Sequence, residues 1–91
     1  MPVFTISKGG KTLETLSLDG DRIEMGSANA CRLFIDDLLI SLKQAAFVRS
    51  GDGYDLEPLS RTPVVKVNGE PVTQRVKVPT GAVIEVEGYQ I

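Results

Sequence analysis

The sequence predicts an all-β domain of short, mostly antiparallel strands, either a sandwich or a barrel. Apolar residues alternate with polar ones over short runs, as in Arg22-Ile23-Glu24-Met25 and Ile84-Glu85-Val86-Glu87. That period of two is the mark of a half-buried strand. Turn signals recur at close intervals: Gly9-Gly10, Asp19-Gly20-Asp21, Gly51-Asp52-Gly53 and Asn68-Gly69. Many short strands separated in this way point to two packed sheets or a closed one.

In chain order, Val3 to Ser7 is β-branched and aromatic, and Gly9-Gly10 ends it. A strand over Thr12 to Leu18 has Leu16 and Leu18 in phase and Leu13 out of phase. Asp19-Gly20-Asp21 turns the chain into the strand through Ile23 and Met25, and Leu33 and Ile35 alternate similarly. The stretch from Asp36 to Ser50 is ambiguous. Asp36 is a possible cap, Leu38, Leu42 and Ala45 have helical spacing, and Gly51 is a possible stop. Gly51-Asp52-Gly53 separates Gln44–Ser50 from Tyr54–Glu57. Asn68-Gly69 is the strongest hairpin signal, because a two-residue turn needs positive φ at both positions. It joins Val64–Val67 to a short arm around Val72, where Pro71 implies an edge strand. Strands through Val76 and Val78 and through Ile84 and Val86 complete the pattern.

Ninety-one residues make one domain, residues 1–91. The final Gly88-Tyr89-Gln90-Ile91 is apolar and strand-like, so a longer parent protein stays open. Ten basic residues face twelve acidic ones, for a net charge of -2. That balance argues against nucleic acid, which calls for a concentrated basic surface. No apolar run approaches the roughly 20 residues of a membrane span, so no direct membrane insertion is expected. Met1-Pro2-Val3-Phe4-Thr5 lacks the basic start and apolar block of a secretory signal, and a cytoplasmic location is expected. The single Cys31 reads as a small buried apolar residue beside Leu33 and Ile35. With no histidine and one cysteine, neither a zinc site nor a histidine-based nucleophile is available. Asp19-Gly20-Asp21 and Asp36-Asp37 lack the spaced oxygens of a calcium loop and read as turn and cap chemistry. Gly9-Gly10-Lys11-Thr12 lacks the first glycine of a phosphate-binding loop. No enzyme activity and no cofactor are expected.

One set of motifs spans most of the chain, from Gly20 to Val86. It comprises Gly26-Ser27-Ala28, Cys31-Arg32-Leu33-Phe34-Ile35-Asp36, Ser41-Leu42-Lys43-Gln44-Ala45, Leu56-Glu57-Pro58-Leu59, Arg61-Thr62-Pro63-Val64-Val65, Val67-Asn68-Gly69 and Gly81-Ala82-Val83-Ile84. Together these resemble the frame of a forkhead-associated (FHA) domain. The resemblance implies an FHA/SMAD-like β-sandwich and settles the ambiguous stretch as a loop through Ser41 followed by a strand from Gln44. It also implies a protein-interaction module that reads phosphothreonine peptides.

The departures from that frame fall in the implied ligand site. Ser27 stands where the family has the arginine that clamps phosphate, and Pro63 where it has the asparagine that holds the peptide backbone. Val64 replaces the following glycine, and Gln44 replaces the histidine that braces the site loops. Ser41 matches the phosphate-contacting serine, and Thr62 a threonine that contacts phosphate in some members. Lys43 and Arg61 lie on the two framing loops. The candidate phosphopeptide-binding residues are therefore Ser27, Ser41, Lys43, Arg61 and Thr62. Plainer roles compete for each: a turn serine at 27, a loop cap at 41, a spacer before proline at 62, and solvated charges at 43 and 61. A neutral, short serine is a poor substitute for a guanidinium fork facing a dianionic phosphate. The expectation is a protein or phosphopeptide partner, met with weakened or lost phosphothreonine binding. The alternative is a phosphate-independent scaffold or self-association domain, using exposed Val64 and Val65 and the edge near Pro71, as in FHA-like domains of secretion machinery. The oligomeric state is left open.

Overall fold

A computed structural model describes residues 3–91. The described residues form eleven strands and no helix: β1 (Val3–Lys8), β2 (Lys11–Ser17), β3 (Arg22–Gly26), β4 (Leu33–Phe34), β5 (Ala45–Ser50), β6 (Gly53–Pro58), β7 (Lys66–Val67), β8 (Glu70–Pro71), β9 (Val76–Val78), β10 (Ile84–Val86) and β11 (Tyr89–Gln90). They build two sheets, ordered β2-β1-β11-β10-β7-β8 and β4-β3-β5-β6-β9. Among the described residues, every strand pair is antiparallel except β3 with β4. The architecture is a sandwich of two sheets, and the barrel alternative falls away.

Alternation decides which face of each strand is inside. Phe4 and Ile6 of β1 are buried while Val3 and Thr5 are exposed, and Ile23 and Met25 of β3 are buried beside half-buried Glu24. The phase slip at Leu13 has a local cause. Ile6 pairs with Glu14 and Ser7 with Thr12, so Leu13 is the extra residue of a β-bulge and points to solvent. Phe4 and Phe47 join the sheets edge to face, with ring centroids 5.0 Å apart. Around them Ile23, Met25, Leu33, Leu56, Val65, Ile84 and Val86 are fully buried.

Two hairpins use the expected turns. Gly9 and Gly10 both have positive φ, as do Asn68 and Gly69. Asn68 does more than turn the chain: its amide oxygen accepts from Val83 N at 2.9 Å, and its own N donates to Val83 O at 2.8 Å. Pro71 lies on the edge strand β8, where its missing N–H costs no ladder bond to a further strand. A third two-residue hairpin, Glu87-Gly88, carries the chain from β10 into β11, which lies between β1 and β10. Glutamate at positive φ is uncommon, so this turn gives little sequence signal.

The helical alternative over Asp36–Ser50 fails for a visible reason. Its spaced leucines do not share a buried stripe, since Leu38 and Leu42 both face solvent. Residues 36–44 are a loop, and the following strand begins at Ala45, one residue later than expected. The expected pairing of Val64 and Val65 as exposed residues needs correction. Val64 is exposed, but Val65 is fully buried, with its carbonyl accepting from Val72 N at 2.8 Å. Cys31 is buried as expected. Its thiol lies 3.3 Å from Leu42 O, and burial pushes its pKa up. No helix among the described residues is long and apolar enough to cross a membrane.

Core and surface leucines should respond very differently to truncation. Leu56→Ala is expected to cost about 2–5 kcal/mol, a large share of the roughly 5–15 kcal/mol of a small domain. Leu38→Ala, at a fully exposed position, is expected to stay within about 0.5 kcal/mol. Urea unfolding of the two variants reads the difference directly.

Candidate functional site

Three loops emerge at one end of the sandwich because of how β3 to β6 run. β4 is parallel to β3, β5 is antiparallel to β3, and β6 is antiparallel to β5. The connections 27–32, 35–44 and 59–65 therefore meet at a common tip.

Gly26 sets how closely they meet. A Cβ there would stand 2.1 Å from Leu42 O and 2.9 Å from Ser41 O, distances no side chain survives. With glycine, the backbone of 26–28 lies directly against 41–42. Ser27 N donates to Ser41 O at 3.0 Å and Ala28 N to Leu42 O at 3.1 Å.

Gln44 joins the second loop to the third. Its side chain is fully buried and spends both ends of its amide. Oε1 accepts from Ser41 N at 3.0 Å, and Nε2 donates to Pro63 O at 2.8 Å, with Ser60 O further away at 3.4 Å. An N–H can only donate and a carbonyl can only accept, so these partners fix which way the amide points. The Gln44 carbonyl accepts from Leu59 N and Ser60 N. The position that resembled a bracing histidine thus holds a bracing amide.

The other candidates are placed as follows. Ser41 is brought onto the third loop: its Oγ donates to Thr62 O at 2.7 Å and lies 2.9 Å from Ser60 Oγ. Ser60 Oγ also reaches Thr62 O, at 3.0 Å. Thr62 therefore contributes its carbonyl to this cluster, while its side chain is exposed. Ser27 is half-buried, and its hydroxyl donates to Ile40 O at 2.8 Å, which ties down the second loop. Lys43 is turned away from the cluster into an ion pair, Nζ to Glu24 Oε1 at 2.9 Å. That hydrogen bond holds the Glu24 carboxyl below its ordinary pKa against the opposing effect of burial. Arg61 is exposed and, among the described residues, forms no ion pair or side-chain hydrogen bond.

Two residues that sequence reasoning passed over also shape the tip. Ser60 completes the hydroxyl cluster, and Asp37 ties the second loop to the opposite sheet. Asp37 Oδ1 accepts from Leu39 N at 2.9 Å, Oδ2 accepts from Tyr89 Oη at 2.9 Å, and Lys8 Nζ stands 3.6 Å away. The Leu39 N–H, then the tyrosine hydroxyl, hold the Asp37 carboxyl below the usual carboxylate range. Burial, then the same carboxylate, pushes the Tyr89 phenol up. A partner 52 residues away leaves no local mark, so only the Asp36-Asp37 turn chemistry was readable.

The fold has known counterparts. The family model described as the FHA domain matches residues 19–87. No curated protein matches the sequence. The FhaA FHA domain, solved in complex with the intracellular domain of Rv3910, superposes with a TM-score of 0.81 at 21% identity, covering 98% of this chain and 96% of that one. The FHA domain of the CT664 protein from Chlamydia trachomatis gives 0.84 at 18% identity, covering 97% and 90%. Mycobacterium tuberculosis EmbR, in complex with a low affinity phosphopeptide, gives 0.80 at 18% identity, covering 94% of this chain and 22% of that one.

The Asp37 tether has a pH signature. Its folded-state pKa lies below the unfolded value of about 3.9. The stabilisation is therefore complete above that value and is lost as pH falls through the folded pKa. Asp37→Asn is expected to be less stable than the wild type at pH 7, with the gap narrowing as pH drops below about 4. Thermal melts across pH 2–7 check it, and a constant gap would exclude the carboxylate as the cause.

Proposed function

The chain belongs to the FHA domain family, and from that premise we propose a non-catalytic protein-interaction module that takes phosphothreonine peptides at the 41–44 and 59–63 loops with a weakened grip on the phosphate. The observation that carries this reading is the Ser41–Ser60–Thr62 cluster, mounted on two loops that Gln44 stitches together. Binding loops on a rigid scaffold are the usual place for recognition. The phosphopeptide bound by EmbR supports the ligand class.

The weakening follows from donor accounting. Ser27 puts a neutral hydroxyl, already bonded to Ile40 O, where the family frame has a guanidinium. Pro63 offers neither a side-chain donor nor an N–H. Lys43 must leave Glu24 before it can serve phosphate. Ser41 has one hydroxyl proton and spends it on Thr62 O, so that bond must be exchanged when an anion arrives. Arg61 is the cation free to approach. Losing one charge-assisted hydrogen bond of about 1.5–3 kcal/mol lowers affinity about ten- to a hundredfold.

A second reading, phosphate-independent docking, rests on the exposed Leu38, Leu39, Leu42 and Val64 around the same cluster. Fluorescence anisotropy with a mixed phosphothreonine peptide pool and its unphosphorylated twin separates the two. The expected result is weak, saturable binding that favours the phosphorylated pool and drops about tenfold in Arg61→Ala, as loss of one charge-assisted bond requires. Ser41→Ala is expected to weaken it further. Equal binding of both pools by the wild type would favour docking without phosphate.

A further inference from the structure

Four strands end the two sheets: β2 and β8 in one, β4 and β9 in the other. An outermost strand presents backbone N–H and C=O groups that no neighbouring strand satisfies, and folded domains keep such edges short or break them with proline or charge. Three of the four follow that rule. β4 and β8 have two residues each, β8 contains Pro71, and the three residues of β9 follow the Arg75–Asp55 ion pair. β2 does not. It runs from Lys11 to Ser17, contains no proline, and has only Leu16 half-buried among exposed neighbours. Glu14, Thr15, Leu16 and Ser17 pair with β1 in unbroken register, so beyond the bulge at Leu13 the free edge is regular.

Beside this edge a groove of about 260 Å³ lies between β2 and β4. Ile6, Leu13, Phe34 and Tyr89 give it an apolar lining, with Leu13 53% and Phe34 36% exposed. Glu14 and Asp36 stand in the same lining, and among the described residues neither enters an ion pair. The cations that could answer them are engaged elsewhere or set apart. Lys8 Nζ stands 3.6 Å from Asp37 and 4.4 Å over the Tyr89 ring, Arg32 donates to the Asp19 carbonyl, and exposed Lys11 sits at the Gly9-Gly10 turn. Two uncommitted carboxylates over an apolar floor complement a basic partner with an apolar anchor. An extended segment laid along β2 would complete the backbone ladder and aim every second side chain at the groove. A second copy of this chain is a poor match, because it brings another Glu14 and Asp36 and a net charge of -2.

We propose that the β2 edge and the groove beside it dock a basic, β-prone segment of a partner protein, which joins the sheet as a further outermost strand. An apolar side chain of that segment fills the groove, and Lys or Arg on the same face meet Glu14 and Asp36. The site shares no residue with the Ser41–Ser60–Thr62 cluster, so docking at this flank needs no phosphate and is separable from peptide binding at the tip.

The test titrates two unphosphorylated peptide libraries onto the full chain by fluorescence anisotropy. Both centre on Leu, Ile or Phe with Val and Thr on either side. The next positions out, on the same face as the centre, hold Lys or Arg in one library and Glu or Asp in the other. The expected result is saturable binding of the basic library, at least about tenfold tighter than the acidic one. The double change Glu14→Lys with Asp36→Lys is expected to erase that preference, and Leu13→Ser to weaken binding about tenfold. All three positions are exposed, and unchanged thermal melts confirm folding. Arg61→Ala is expected to leave this binding untouched, which separates the flank from the tip. Hydrogen exchange of the wild type supplies a readout that needs no variant: amides of Thr12 to Ser17 gain protection in the complex, as an added ladder requires. Equal affinity for the two libraries, binding of neither, or binding that leaves the β2 amides unprotected overturns the inference. Loss of binding in Arg61→Ala overturns it too, by moving the contact to the tip. Concentration-dependent dimerisation in sedimentation that protects the same amides gives the edge to a second copy and also overturns it.

Discussion

The buried amide of Gln44 is the constraint on which the tip depends. Two loops from separate parts of the chain meet there, and neither has regular structure of its own to hold it. The amide supplies one acceptor to Ser41 N and one donor to Pro63 O, and the Gln44 carbonyl takes two further N–H groups. A polar side chain fully removed from water is tolerated only because its partners are supplied. The same exchange works in reverse. Without the amide, Ser41 N and Pro63 O would be left unpaired, at about 1–3 kcal/mol each. Gly26 is the steric counterpart, since its missing side chain lets the Ser41–Leu42 backbone settle against β3.

From that junction the chemistry of the tip follows. Ser41 is held where its hydroxyl meets Thr62 O and Ser60, and the leucines of the same loop face solvent. An amide braces these loops at the position where the FHA frame that the sequence resembles has an imidazole. Most charged groups near the tip are already engaged. Lys43 neutralises Glu24, Asp37 is occupied by Tyr89 and Lys8, and Arg61 alone remains uncommitted among these groups. The proposed weakening of the phosphate grip rests on these commitments, whereas the backbone and packing contacts that hold the loops are distributed over many residues.

The sequence made the fold legible where alternation and turn chemistry coincide. Arg22–Gly26, Ile84–Val86 and the Asn68-Gly69 hairpin were readable from local pattern alone. The stretch 36–44 was not, because its leucines have helical spacing yet are exposed; only the resemblance to a known frame read it as a loop. Three other features were hidden for distinct physical reasons. The bulge at Leu13 is set across the hairpin, where Ile6 pairs with Glu14 and Ser7 with Thr12 and leaves Leu13 unpaired. Val65 is buried where its backbone pairs with Val72, a partner that local spacing does not mark. The Glu87-Gly88 turn uses a residue type uncommon at positive φ. Within the site, position 44 was recognisable as a brace, but the capture of Lys43 by Glu24 and of Asp37 by Tyr89 are long-range pairings with no signal in single-sequence spacing.

The claim that one buried amide fuses the two loops is most directly tested by hydrogen exchange at Ser41 N–H. If Gln44 Oε1 holds that hydrogen, the Ser41 amide should be strongly protected in the wild type. Gln44→Ala should speed its exchange by about ten- to a hundredfold, the equivalent of about 1–3 kcal/mol, while the amides of β3 and β5 slow or hasten only with global stability. Rapid exchange at Ser41 in the wild type, or unchanged protection in Gln44→Ala, would contradict the account.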